Sequence, residues 1–335
     1  MSKKRDRRRR PVPAREAELA EPVADDPPPR RPGLFGSAML SSGPSPMPGI
    51  GRSLSRGLLT VAGQPVLVIV PMILVALAWL ALLAIGFEGT PGRLVAVLAL
   101  PPISTYFDLG TGSTTYGIGP GFLVFIGISI LIRTLIVALL TGGVVEALED
   151  GRVSRYGLLR GLRALPTVLA VHVLSFTIIV GGNLILPILG PGIGFLGFVA
   201  ALVAGLFLLG FAPTAAVREG RTVLDEIRRS ARAALLPNSK HLVLCSLYFF
   251  LALPVLVGFA PGGSSITANP SLVTWVFAFA VNVIHVGFLA AFAYRWIGVE
   301  AVVPEEPVRR TRGRFGAGPA RGSPRAPSAR ARGRG

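Results

Sequence analysis

The stretch Phe122–Gly142, FLVFIGISILIRTLIVALLTG, decides how the chain is read. It has the length and apolarity needed to cross roughly 30 Å of hydrocarbon as a helix, which takes about 20 residues. Its one charge, Arg133, falls near the middle. A basic link follows at once, ALEDGRVSRYGLLRGLRAL over 147–165. Working outward, five more apolar stretches have the same character: about 66–87, 166–186, 193–217, 241–260 and 272–296. Unpaired backbone groups are too costly in lipid for irregular structure, so each stretch reads as a helix. The expected fold class is all-α, a polytopic transmembrane helical bundle of six spans with disordered tails.

Composition agrees. Of 335 residues 51% are hydrophobic and 15% charged, where a soluble domain carries about 25% charged residues. The formal net charge of +17 is unevenly spread. Lys and Arg cluster before the first stretch (Lys3 to Arg56), in 146–165, in 218–240 and from Arg295 onward. Segment 88–121 sets Arg93 against Glu88 and Asp108, while 187–192 and 261–271 carry no charge. Basic segments stay cytoplasmic, and all seven segments fit one threading: six spans in the cell (cytoplasmic) membrane, with N- and C-termini inside. The first long apolar run begins after more than sixty mostly polar residues, so it reads as a retained anchor rather than a cleaved signal.

Three domains follow: a basic, Pro-rich tail over 1–49, a six-span membrane domain over 50–300, and an Arg/Gly-rich tail over 301–335. Neither tail has a periodic apolar face, and both are expected to be disordered. Attraction to anionic lipid explains their charge without nucleic acid as a partner.

The two inner links repeat at an offset of 69 residues. Ala147–Arg152 (ALEDGR) matches Ala216–Arg221 (AVREGR), and Arg160–Ala164 (RGLRA) matches Arg229–Ala233 (RSARA). Each pair follows an inward span and precedes an outward one. The unit is therefore span–interfacial helix–span, present twice as parallel repeats about the membrane normal. Within each link, apolar residues alternate with arginines, as in a helix lying at the interface. The arginines Arg160, Arg163, Arg229 and Arg232 either fix topology alone, or bind anionic headgroups or a membrane-protein partner. Residues 50–64 read as a third interfacial helix, with Ile50, Leu54, Leu58 and Val61 at helical spacing. Trp275, Tyr294 and Trp296 bracket the last span as headgroup-level aromatics.

Taken together, Phe211–Pro213 (FAP), Glu219–Gly220 (EG), Ile227–Ser230 (IRRS), Leu148–Gly151 (LEDG) and Leu158–Gly161 (LLRG) carry a resemblance. Over about 50–300 the chain resembles six-span prokaryotic membrane proteins that include the membrane domain of some glycerophosphoryl diester phosphodiesterases and the YciC-like group. The resemblance implies a membrane module without catalysis of its own, since no phosphodiesterase catalytic domain is found in either tail.

Polar residues within the spans are the remaining candidates. An arginine at mid-bilayer costs about 2.5–3.5 kcal/mol on insertion scales and turns toward the bundle interior. Ser129 shares the face of Arg133; Asn282 and His285, three apart on span six, and Asn183 on span three are its nearest candidate partners. Arg133 is thus a structural arginine, an anion or lipid contact, or part of an ion pathway; the acidic relay common in such pathways is missing from the spans. His172 reads as an interhelical donor, His241 as an interface marker and Cys245 as buried filler. The segment 88–121 reads as a surface loop, an interfacial helix or a lid. No phosphate loop, dinucleotide fingerprint, HExxH, Cys/His metal spacing or nucleophile elbow occurs. No cofactor, metal or catalytic residue is therefore expected. The expected role is a scaffold or accessory module; the alternative is a permease for a lipid-like or anionic solute.

Overall fold

The computed structural model describes residues 45–84, 99–101, 103–105, 109, 118–258 and 272–303. Among these residues there are helices and turns and no strand. In chain order the helices are α1 (Ile50–Gly63), α2 (Val66–Ala84), α3 (Pro120–Asp150), α4 (Arg155–Arg160), α5 (Leu165–Ile185), α6 (Pro191–Leu209), α7 (Ala212–Glu219), α8 (Val223–Ala234), α9 (His241–Gly258) and α10 (Leu272–Val299).

Four described helices are long and apolar enough to cross a membrane: Pro120–Asp150, Arg155–Gly182, Gly192–Glu219 and Trp275–Val299. They correspond to the second, third, fourth and sixth expected spans. The first expected span differs. There α1 and α2 pass the same test only as a pair, bent by 69° at the break. The bend falls at Gln64–Pro65, where proline disfavours α geometry in the residue before it. The Gln64 side chain donates to the Gly151 carbonyl at 2.8 Å and ties the bend to the inner link. At the fifth expected span, α9 is apolar along its 18 residues, but its described side chains, His241–Ala252, are too few to be tested as a span, and the rest of that stretch lies outside them. The described residues thus hold four or five candidate spans where six were expected.

Helix α3 starts with Pro120 in its first turn and stops at Gly151, whose φ of 70° is left-handed and favours glycine. Its 31 residues make a rod of about 46 Å, so its acidic end projects beyond a bilayer core. Gly220 ends α7 in the same way, with φ 61°. The cap N–H groups of Gly151 and Gly220 bond to Ala147 and Ala216, which are also 69 residues apart. Ser154 and Thr222 then cap the next helices with their hydroxyls.

Beyond the caps the two copies part ways. In the first, α4 is clamped onto the inner end of α3 by glycine. A methyl group on Gly142 would meet the Gly161 Cα at 2.7 Å, and one on Gly161 would meet the Ala138 carbonyl carbon at 2.8 Å. A 3-10 turn then leads straight into α5. In the second copy α8 is separate, and Asn238 and Lys240 take positive φ before α9 begins.

The break between α6 and α7 joins two of the motifs. The Ser230 hydroxyl on α8 donates to Leu208 O (2.7 Å) and accepts from Phe211 N–H (3.2 Å). It thus satisfies two backbone groups that flank the break between the helices. Phe211 stacks on His241 with ring centroids 4.1 Å apart and packs near Trp296 and Phe292. His241 and Trp296 are core residues enclosed by this aromatic cluster.

Helix α1 runs antiparallel along the inner half of α10. Pro48 lies beside Gly298, and Gly57 beside Gly287 and Ala291. The segment expected to be a third interfacial helix is thus helical and packs on α10. Met47 and Val303 join the core and extend the expected 50–300 domain at each end. The rest of both tails lies outside the described residues, as does most of 88–121. Within the described part of that segment Ala99, Leu100, Ile103, Ser104 and Thr105 are buried rather than on a surface loop, whereas Ile118 before α3 is exposed.

Candidate functional site

Two polar regions contain the candidate residues. The first lies inside the bundle. Arg133 on α3 is only 5% exposed, and its charge reaches the imidazoles of His172 on α5 and His285 on α10. Of its two expected partners on α10, His285 is thus brought within electrostatic reach. Asn282 instead directs its amide nitrogen to the Met72 sulfur, 2.7 Å away. Asn183 sits on α5, and its side chain lies outside the described residues.

His285 Nδ1 is 2.8 Å from the Tyr248 hydroxyl, which accepts from Leu100 N–H at 2.9 Å. His172 bonds through Nδ1 to Val168 O of its own helix (2.9 Å) rather than across helices as expected. Several buried polar atoms have no hydrogen-bond partner among the described residues: Thr134 Oγ1, His172 Nε2, Ser175 Oγ, Asn282 Oδ1, His285 Nε2 and the Ser104 and Thr105 hydroxyls. They belong to the turns around Arg133, His172, His285 and Leu100.

The second region is the face where both basic links meet the end of α10. Arg218 pairs with Glu149 and, at 2.6 Å, with Glu300. Arg160 reaches the other oxygen of Glu149 at 3.0 Å. Arg229 pairs with Glu219 at 3.2 Å, donates to Glu300 O at 3.1 Å and lies over the Trp296 ring. Glu219 also takes Arg221 at 2.8 Å. Equivalent positions of the repeat, Glu149 and Arg218, hence carry opposite charges and bind each other. The carboxylates of both links and of Glu300 draw Arg160 and Arg229 into this network, whereas Arg163 stays exposed and Arg232 is half-buried. A cleft of about 380 Å³ opens between Arg218, Arg221, Arg229 and Val303.

Beside the network, the Glu226 carboxylate is buried and accepts the Thr167 hydroxyl. Burial raises its pKa, while the Thr167 bond pulls the other way. Around the network lies an open surface on which exposed arginines (Arg155, Arg163, Arg228) alternate with exposed Tyr156, Leu159, Leu162 and Leu224.

Sequence reading passed over Arg295. It is fully buried, donates to Pro48 O at 2.9 Å and also bonds to Ser239 O. Its signal was its setting, Tyr294 and Trp296 on either side within an apolar helix. Tyr248 was also missed, because a tyrosine among Leu and Phe looks like packing. No protein family, curated protein or solved structure matches this chain.

Proposed function

We propose that the chain is a multi-pass membrane module without catalysis of its own, whose inner face engages the anionic headgroups of a cell membrane. In this reading α9 and the bent α1–α2 pair also cross, giving six passages with both tails cytoplasmic, and the two links belong to parallel repeats. The resemblance to the glycerophosphoryl diester phosphodiesterase membrane domain and YciC-like proteins is consistent with such a module. One observation carries the proposal: exposed arginines interleave with exposed leucines and a tyrosine on α4, the 3-10 turn after it and α8. Such a surface favours a plane where acyl chains meet phosphates, and each basic residue near it contributes about 1 kcal/mol. The test is reconstitution in nanodiscs of zwitterionic lipid with or without an anionic phospholipid. Enrichment of the anionic lipid around the wild type, and its reduction in an R155Q/R163Q/R228Q variant, is expected. Equal lipid composition for both proteins overturns the proposal.

A second reading, binding of an anionic solute inside the bundle, draws on the buried polar atoms without partners around Arg133, His172 and His285. Buried polar groups are nearly always hydrogen-bonded, and a bound solute would supply the missing partners. Flux of a labelled anion in proteoliposomes that is lost in Arg133→Ala would favour it, and absence of flux in the wild type would refute it.

A further inference from the structure

Helix α1 and the inner half of α10 enclose a second groove, of about 360 Å³, lined by Arg52, Ser55, Arg56, Leu59 and Tyr294. Arg52 and Arg56 are one turn apart, so their guanidinium groups share one face of α1. Both are exposed, and among the described residues neither has a carboxylate partner. This sets them apart from Arg160, Arg218 and Arg229, which carboxylates occupy. Neither α1 nor α10 contains an acidic residue. Tyr294 is half-buried in the wall opposite, and its neighbour Arg295 turns inward to the Pro48 carbonyl. The wall is held in place by the close approach of Gly57 to Gly287 and Ala291.

Chemistry changes along the groove. At its charged end stand two guanidinium forks, suited to the paired oxygens of a phosphate, together with a phenol. Leu59, which lines the groove, is an exposed apolar side chain, and past the bend the chain continues into α2, where Val66, Ile69, Val70 and Ile73 are exposed. A phosphate alone would use only the first part, and a hydrocarbon chain only the second. We infer that this groove is a discrete phospholipid site in which Arg52, Arg56 and Tyr294 hold the phosphate and Leu59 and the exposed face of α2 receive an acyl chain. The inference rests on the proposed lipid-binding role and adds to it a specific location and a defined head group.

The test uses the full chain in mild detergent, titrated with a short-chain phosphatidylglycerol or with inorganic phosphate and read by thermal shift. Wild type should be stabilised saturably by the lipid, and inorganic phosphate at the same concentration should have no comparable effect. In R52Q/R56Q the apparent Kd should rise by about thirtyfold, while the melting temperature without lipid is unchanged because both side chains are exposed. R52K/R56K should recover part of the affinity. If R52Q/R56Q binds as wild type while R155Q/R163Q/R228Q does not, this site is refuted and the broader lipid reading stands. If the wild type shows no saturable response to lipid, and nanodiscs show no enrichment, both fall. An equal response to inorganic phosphate also refutes the lipid assignment.

Discussion

Gly57 offers a strong test of the packing described above. A methyl group there would strike the Gly287 carbonyl oxygen and lie 2.9 Å from Ala291 N and 3.3 Å from Ala291 Cβ. Two of these atoms are backbone, so they cannot swing aside, and α1 and α10 must part. The cost of such overpacking is about 1–3 kcal/mol. Replacing glycine by alanine also favours the helix by up to about 1 kcal/mol. Gly51, on the same helix, has nothing within 4 Å of an added methyl group. Gly51→Ala therefore reports the propensity gain alone, and comparison of the two variants isolates the clash. Gly57→Ala should be less stable than Gly51→Ala by about 1–3 kcal/mol, a gap of several degrees in melting temperature. Thermal unfolding in mild detergent, followed by circular dichroism or by loss of the monodisperse peak, ranks them. If Gly57→Ala melts at or above Gly51→Ala, the antiparallel contact of α1 with α10 is wrong.

Other outcomes follow from single side chains. Arg295→Ala strands the Pro48 and Ser239 carbonyls in the core, costing about 3–5 kcal/mol and the monodisperse state on size exclusion; Arg295→Lys keeps the charge without the planar fork, and should fold with a lower melting temperature. Glu149→Gln removes the negative charge shared by Arg160 and Arg218 and turns one of its two acceptor oxygens into a donor; because these groups are partly exposed, a loss of about 1 kcal/mol is expected, shrinking in high salt, and a double-mutant cycle with Arg218→Gln measures it. Burial raises the Glu226 pKa in the folded state, so folding favours its protonated form and stability falls as pH rises through the folded value. Glu226→Gln should therefore melt higher than wild type at about pH 8 and converge with it in acid; a variant that melts lower at both ends refutes the assignment.

Much of the bundle was legible in the sequence because lipid permits few alternatives. Unbroken apolar runs became helices, and the 69-residue echo became two turns closed by left-handed Gly151 and Gly220. What escaped depended on contacts distant in sequence. The inner arginines formed a periodic basic pattern, but Glu149, Glu219 and Glu300 come from three separate helix ends and meet them only in the fold. Hydropathy could not show that Pro65 bends the first span or that α1 lies on α10. Arg133 stood out because charge is rare in mid-span, and its burial agrees with that. Arg295 escaped because it sits near a helix end, where arginines ordinarily reach water.

The Arg295–Pro48 bond joins residues 247 positions apart. At a synthesis rate of about 5–20 residues per second, the ribosome needs roughly ten to fifty seconds to make the intervening chain. During that interval the earliest helix has left the tunnel, while the cation that fastens its leading end has yet to be translated. Its docking therefore awaits the arrival of α10, and a chain cut short before that helix keeps its opening segment unlatched however well the middle has assembled.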